Sequence, residues 1–157
     1  MNAGNGNSKQ RVVITNRKAR HEYHIDEIYE AGISLRGTEV KSLRLGNANL
    51  QDSYAFVRQG EVFLEGMHIS PYEFGNQFNH EPKRERKLLL HTKEIRKLIG
   101  KTKEKGYTLI PLSVYFKSGK AKIELALARG KKSFDKRKAI AERDAKRDQE
   151  REIRVKF

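Results

Sequence analysis

The residues most able to do chemistry in this sequence are cations set in short clusters. Three of them closely follow the amide residue Asn16, in Asn16-Arg17-Lys18-Ala19-Arg20. Four more precede an apolar run, at Lys83, Arg84, Arg86 and Lys87, and a third set recurs every four residues, at Lys93, Lys97 and Lys101. Like charges at that spacing weaken a free helix, and a phosphate backbone would relieve the cost. An amide beside cations can also read a base edge. The clusters predict nucleic-acid contacts, with a merely solvated basic surface as the alternative.

The patterns expected of an enzyme are incomplete. Gly100-Lys101-Thr102 resembles the end of a nucleotide-binding loop, but position 95 is Ile where that motif requires Gly. His21 and His24 are three residues apart on a predicted strand, so they point to opposite faces and cannot share a metal. Cysteine is absent, which excludes thiolate ligands, disulfides and a cysteine nucleophile. We therefore predict no catalytic residue, no metal and no cofactor, and keep a nucleic-acid enzyme as an alternative.

The overall charge points to a polyanionic partner. The 157 residues carry a formal net charge of +14, and the sequence pI is about 10.0. Such an excess repels itself and is typical of proteins that bind nucleic acid. No apolar run reaches the roughly 18 residues of a membrane helix. We expect a cytoplasmic monomer with no membrane partner.

The apolar pattern predicts a mainly β fold, a small antiparallel OB-type barrel with two or three flanking helices and a C-terminal tail. Strands are predicted over 12–14, 21–30, 33–35, 54–58, 61–68, 88–90, 107–117 and 120–129. The alternation slips near Glu27, which indicates a β-bulge, and Ala31-Gly32 is predicted to turn. Helices are predicted from Thr38 to Leu45 and from Thr92 onward, with each threonine as N-cap and Gly46 and Gly106 as stops.

Three segments differ in composition. Residues 1–10 are rich in Asn and Gly and are predicted to form a flexible arm, and 11–130 to form the barrel. Residues 131–157 contain good helix formers but no continuous apolar stripe, so we expect this basic tail to be disordered when free and helical when bound. Arg143, Arg147 and Arg151 recur every four residues and would form one cationic face of a helix.

Several stretches together resemble the SmpB family of small proteins that bind tmRNA (SsrA RNA). They are Asn16-Arg17-Lys18-Ala19, Tyr29-Glu30-Ala31-Gly32, Glu39-Val40-Lys41-Ser42-Leu43-Arg44, Asp52-Ser53-Tyr54, Arg84-Glu85-Arg86-Lys87-Leu88-Leu89-Leu90, Gly106-Tyr107-Thr108-Leu109-Ile110-Pro111-Leu112, Gly130-Lys131-Lys132 and Asp135-Lys136-Arg137. The resemblance covers nearly the whole chain from Val12 onward.

The resemblance implies an OB-type barrel that grips the tRNA-like domain of tmRNA and enters the A site of a stalled ribosome during trans-translation. By position it assigns RNA contact or support to Asn16, Tyr23, Glu30, Leu89 and His91. It assigns ribosome engagement, at the decoding centre and in the mRNA channel, to a tail that includes Lys131, Lys132, Asp135, Lys136, Arg137 and Ile153.

Two of these residues have other interpretations from the residues alone. Tyr23 shares a strand face with Ile25, which favours core packing over base stacking. Glu30 could accept hydrogen bonds from bases or ribose, or could instead form a salt bridge that orients Arg17 or Arg20. A generic OB-fold RNA-binding or ribosomal protein remains the alternative function.

Overall fold

The computed structural model describes residues 10–75, 78–104, 106–131, 137 and 141–147. Its elements in chain order are β1 (Arg11–Thr15), α1 (Ala19–Glu22), β2 (Tyr23–Ile33), α2 (Gly37–Arg44), β3 (Ala48–Asn49), β4 (Tyr54–Arg58), β5 (Glu61–Glu65), β6 (His68–Ile69), β7 (Arg86–Leu89), α3 (Thr92–Thr102), β8 (Tyr107–Lys117) and β9 (Lys120–Gly130). Residues 141–147 are also helical. Most of the predicted 1–10 arm lies outside the described residues.

Six strands close into an antiparallel barrel in the order β8-β4-β5-β7-β2-β9, because β9 pairs again with β8. β1 pairs with β8 at Ser113–Phe116, beyond the point where β4 pairs with it at Leu109, and β3 pairs with β6 in a separate ribbon. Closure leaves few exposed strand edges. The predicted mainly β class, with an OB-type barrel and flanking helices, is confirmed.

Two hairpins of the barrel turn at residue pairs with left-handed backbone. Gln59-Gly60 joins β4 to β5 and Ser118-Gly119 joins β8 to β9, and all four residues have positive φ. That conformation suits the right-handed twist of the strands on either side. The predicted irregularity near Glu27 is also confirmed, since the register of β2 against β9 shifts between Ile25 and Glu27.

The barrel interior holds the main core. Side chains with essentially no solvent exposure fill it from every wall, including Leu64, Leu88, Leu98, Leu109 and Leu125. The outer face of the β8–β9 hairpin is also buried at one end. Ala126 and Ala128 are buried there with Ala19 of α1, because methyl side chains let the short helix pack closely on the sheet.

Two local predictions are wrong: the turn at Ala31-Gly32 and the two threonine N-caps. Ala31-Gly32 does not turn; both residues continue β2, paired with Ile123 and Lys122 of β9. Thr38 and Thr92 are not N-caps, since the caps are Arg36 and His91. Their backbone amides donate to the carboxylates of Glu39 and Glu94, respectively. The predicted apolar strand at 88–90 is only half buried, because Leu89 points outward.

A buried carboxylate joins α2 to β7. Glu39 has no exposed side-chain surface and accepts hydrogen bonds from Arg84 at 2.6 Å and Arg86 at 2.5 Å. Arg86, also fully buried, donates to the carbonyls of Met67 and Pro82. Burial opposes ionisation of Glu39, but the arginines and the Arg36 amide outweigh it and hold the pKa of Glu39 below its ordinary value.

Removing this charge should destabilise the fold. In the Glu39→Gln variant Arg86 stays buried beside Arg84 without a counter-charge, so we expect the free energy of unfolding to fall by about 3–5 kcal/mol. Urea denaturation at neutral pH measures it. The matched control is Glu61→Gln, which breaks the exposed pair with Lys87 and should cost less than about 1 kcal/mol. Equal losses in the two variants would contradict this role.

Acidification gives a second readout of the same pair. Since the folded-state pKa of Glu39 is lowered from about 4.5, its stabilising contribution is complete above that value and is lost as the pH falls through the folded-state pKa. Wild type should therefore lose more stability than the Glu39→Gln variant between roughly pH 5 and pH 3. Parallel stability curves would contradict the assignment.

Candidate nucleic-acid interface

A shallow groove of about 360 Å³ lies on the outer surface near the end of β2. We call it the leucine groove. It is lined by Gly32, Ile33, Leu35, Val40, Leu89, Phe116, Gly119, Lys120, Ala121 and Lys122. Leu89 leaves 53% of its surface exposed, although it is a large apolar residue within a strand. The groove thus combines apolar walls with two lysines at the β8–β9 turn, a combination suited to a base or ribose with its phosphate.

Gly32 forms part of the groove because it has no side chain. It pairs with Leu89 on one side and Lys122 on the other. A Cβ at this position would lie 3.3 Å from the Cβ of Leu89, so Leu89 would have to shift. A glycine inside a strand often marks a place where a ligand approaches closely. The turn predicted at Gly32 is thus replaced by a strand that the groove needs open.

Glu30 lies two residues before Gly32 on the same outer face of β2. It accepts hydrogen bonds from the Tyr115 hydroxyl at 2.6 Å and from Lys117 at 3.4 Å. The Tyr115 hydrogen bond is the main reason that the pKa of Glu30 is lowered. The alternative in which Glu30 orients Arg17 or Arg20 is wrong, since Arg20 instead pairs with Glu124 at 3.6 Å. Glu30 is therefore a positioned, ionised acceptor beside the groove.

The cation cluster that precedes Leu88 does not act as one surface. Arg86 is buried in the core and Arg84 is mostly committed to Glu39, so the prediction that these two meet phosphates is corrected. Lys87 is exposed and pairs with Glu61. Lys83 is exposed at a different cleft, beside Asn49, Gln51 and Asp52.

The cations of α3 remain on the surface. Lys93 is exposed, as is His91 just before the helix. Lys97 keeps 53% of its side chain exposed while pairing with Glu27 at 3.1 Å. Two further lysines, Lys120 and Lys122, line the leucine groove and were not among the residues predicted from the sequence. The signal available for them was a glycine turn with lysines on either side.

A second cleft, of about 280 Å³, lies beside α1, and we call it the α1 cleft. It is lined by Asn16, Lys18, Ala19, Glu22, Tyr23, Gln51, Asp52, Ser53, Tyr54, Thr108 and Ile110, with Arg17 in an adjoining pocket. Asn16 donates from its amide to the Pro111 carbonyl at 3.0 Å, so part of its side chain holds the backbone in place. Tyr23 packs against the small core under α1 but still borders the cleft.

The basic tail leaves the barrel beside the α1 cleft. Gly130 pairs with Tyr23, and the amide and amine of Lys131 donate to the carbonyls of Glu22 and Arg20. Farther on, Arg137, Arg143 and Arg147 are exposed, and Arg143 and Arg147 lie in the helical 141–147 segment. The other predicted tail residues, Lys132, Asp135, Lys136, Arg151 and Ile153, lie outside the described residues. Disorder of the free tail stays a prediction.

The leucine groove and the α1 cleft lie toward opposite ends of β2. Nine residue steps separate Tyr23 from Gly32, which corresponds to about 30 Å at roughly 3.3 Å per residue.

Among the described residues, no group of three or more His, Cys, Asp or Glu could hold a metal ion. Nor does any helix among them combine the length and apolar character needed to cross a membrane.

Comparison with known proteins identifies relatives along nearly the entire chain. Residues 13–155 match the family model described as SmpB protein. An SsrA-binding protein of Pelotomaculum thermopropionicum is 67% identical over 147 residues, covering 94% of this chain and 96% of its own. One from Carboxydothermus hydrogenoformans is 60% identical over 148 residues, with coverage of 94% and 99%.

A solved structure gives the same result for the fold. It is described as "tmRNA-SmpB: a journey to the center of the bacterial ribosome", and one of its chains is 55% identical to this one. The two match with a TM-score of 0.65, over 76% of this chain and 85% of the other. The barrel, its flanking helices and these matches lead to one conclusion: the chain belongs to the SmpB protein family.

Proposed function

We propose that this protein binds the tRNA-like domain of tmRNA and delivers it to the A site of stalled ribosomes, where trans-translation rescues them. The observation that carries the proposal is the separation of two candidate surfaces along β2, with the basic tail starting at one of them. A protein that links two large RNAs needs contacts that do not compete. The names of the relatives, SsrA-binding protein and tmRNA-SmpB, support the choice of RNAs.

In this proposal the leucine groove receives the tRNA-like domain. Leu89 and His91 contact its bases or sugars, Glu30 accepts hydrogen bonds from them, and Lys120 and Lys122 hold phosphates, with Lys93 and Lys97 at the edge. At the other end, Arg17 and Lys18 provide charge around Asn16 and Tyr23, and Lys83 adds charge at the neighbouring cleft beside Gln51 and Asp52. The tail then enters the decoding centre and the mRNA channel.

The protein supplies shape and charge while the ribosome performs the chemistry, so we propose that it is not an enzyme. It works as a monomer in the cytoplasm, where its RNA partners are. No residue in either cleft needs a metal or a cofactor for this role.

Selective binding distinguishes this function from that of a generic OB-fold RNA-binding protein. We expect sequencing of RNA recovered with the tagged protein from cells to show tmRNA enriched over bulk tRNA. Leu89→Ala should reduce that enrichment because it removes the exposed apolar wall of the groove, whereas the matched Ile28→Ala, exposed on β2, should not. Equal recovery of tmRNA and tRNA by the wild type would favour the generic alternative.

Salt dependence tests the phosphate contacts. The affinity for tmRNA should fall linearly with the logarithm of salt concentration, and the Lys120→Ala/Lys122→Ala variant should lower the magnitude of that slope by about one per lysine. Lys87→Ala is the control, because Lys87 does not line the leucine groove and its amine pairs with Glu61. An unchanged slope in the double variant would remove the hairpin turn from the interface.

The tail should separate RNA binding from function on the ribosome. Deleting residues 131–157 leaves the leucine groove complete, so the affinity for tmRNA should stay within roughly threefold, about 0.65 kcal/mol. Tagging of stalled nascent chains should be lost. Replacing Asp135, Lys136 and Arg137 by alanine should reproduce that loss with the tail present. Full tagging by the truncated protein, or outright loss of tmRNA binding, would contradict this division.

A further inference from the structure

Two phenylalanines stand out on the surface within a few residues of each other. Phe74 is 73% exposed and Phe78 is 80% exposed, the highest values among the large apolar side chains of the described residues. Both belong to the connection between β6 and β7. We call residues 70–75 and 78–80 the aromatic loop. Single exposed apolar residues are ordinary, but a cluster of large ones is typical of a binding site.

The described part of the aromatic loop is held tightly at both ends. The side chain of Asn79 bonds the backbone amide and carbonyl of Tyr72, at 2.8 and 2.7 Å. His80, only 4% exposed, lies between the Thr38 hydroxyl and the Ile69 carbonyl, at 2.8 Å from each. A Cβ on Gly75 would come within 3.0 Å of Thr38. The loop therefore presents its rings from a fixed backbone against α2.

Two cations of α2 lie between the aromatic loop and the leucine groove. Phe74 packs edge-on against Tyr72, with ring centroids 5.6 Å apart, and the Lys41 amine lies 5.4 Å from the Tyr72 ring. Arg44, one turn later on α2, lies 4.6 Å over Phe116, which lines the leucine groove. Two cations of α2, each lying over an aromatic ring, are thus found between the loop and the groove.

From this arrangement we propose that the aromatic loop is a second RNA-binding site, which stacks unpaired bases on Phe74 and Phe78 while Lys41 and Arg44 hold the phosphates. Aromatic rings beside a cationic path are how proteins bind single-stranded RNA. Glu73 in the loop and Glu81 just after it are exposed, so the phosphates follow α2 and only bases approach the rings. The inference rests on the proposed RNA-binding function and extends it to a surface outside both clefts.

A tryptophan reporter tests the stacking directly, because the protein contains no tryptophan of its own. Fluorescence of the Phe78→Trp variant should be quenched by an unpaired RNA oligonucleotide of roughly ten residues, but not by a fully paired duplex of the same length. Val12→Trp, at an exposed site on β1, is the control and should respond to neither. Quenching by both RNAs, or by neither, would overturn the proposal.

Affinity measurements separate stacking from simple apolar contact. The Phe74→Ala/Phe78→Ala variant should bind the unpaired oligonucleotide roughly tenfold more weakly and the duplex as wild type does. Phe74→Leu/Phe78→Leu should show a similar loss, since leucine keeps apolar area but cannot stack. Circular dichroism should be unchanged in both, as neither side chain is buried.

Two results would overturn the proposal and leave the proposed function intact. If both double variants bind the oligonucleotide as wild type does, the loop is not an RNA site. If both double variants bind the oligonucleotide as wild type does but the alanine variant binds ribosomes more weakly, the loop contacts a protein. In either case the wild type should still select tmRNA over bulk tRNA, and that selectivity should still depend on Leu89. A wild type that shows no such selectivity would instead refute the proposed function.

Discussion

The carboxylate of Glu39 holds together the parts of the chain that form the candidate RNA surfaces. It neutralises two arginines, one of them fully buried, and so joins α2 to the start of β7. The Arg86 guanidinium also binds the Met67 and Pro82 carbonyls, which lie on either side of the aromatic loop. The Arg86 guanidinium and the Glu39 carboxylate lie out of water and tolerate little displacement, because either group would stay buried if it lost its partner. The positions of Leu89 and of the loop follow from this pair.

The long β2–β9 ladder sets the distance between the two ends of the molecule. Small residues allow a different cleft to form at each end of the ladder. Ala126 and Ala128 allow α1 to pack on the sheet, which forms one cleft and places the start of the tail there. Gly32 leaves space between Leu89 and Lys122, which forms the other. One continuous ladder thereby keeps the contacts of two large partners apart.

The features that depend on neighbouring residues were predictable. The β4–β5 and β8–β9 hairpins follow from their turn residues, and the shift near Glu27 follows from a slip in alternation. The stop of α2 at Gly46, which has φ of +75°, is of the same kind. The partner class followed from net charge, and the family from ordered motifs. Each signal is read within a few residues or from the composition, so no knowledge of the fold is required.

The sequence by itself thus determined the fold class, the hairpins and a polyanionic partner, but only the tertiary structure decided which charges could meet that partner. Arg86 and Lys83 look alike in the sequence, yet one lies in the core and the other on the surface. The difference is made by Glu39, which is 47 residues from Arg86. Likewise Glu30 is held by Tyr115, 85 residues away, and not by the nearby arginines. Burial and ion pairing depend on neighbours that the closed barrel brings together, and separation along the chain does not reveal them.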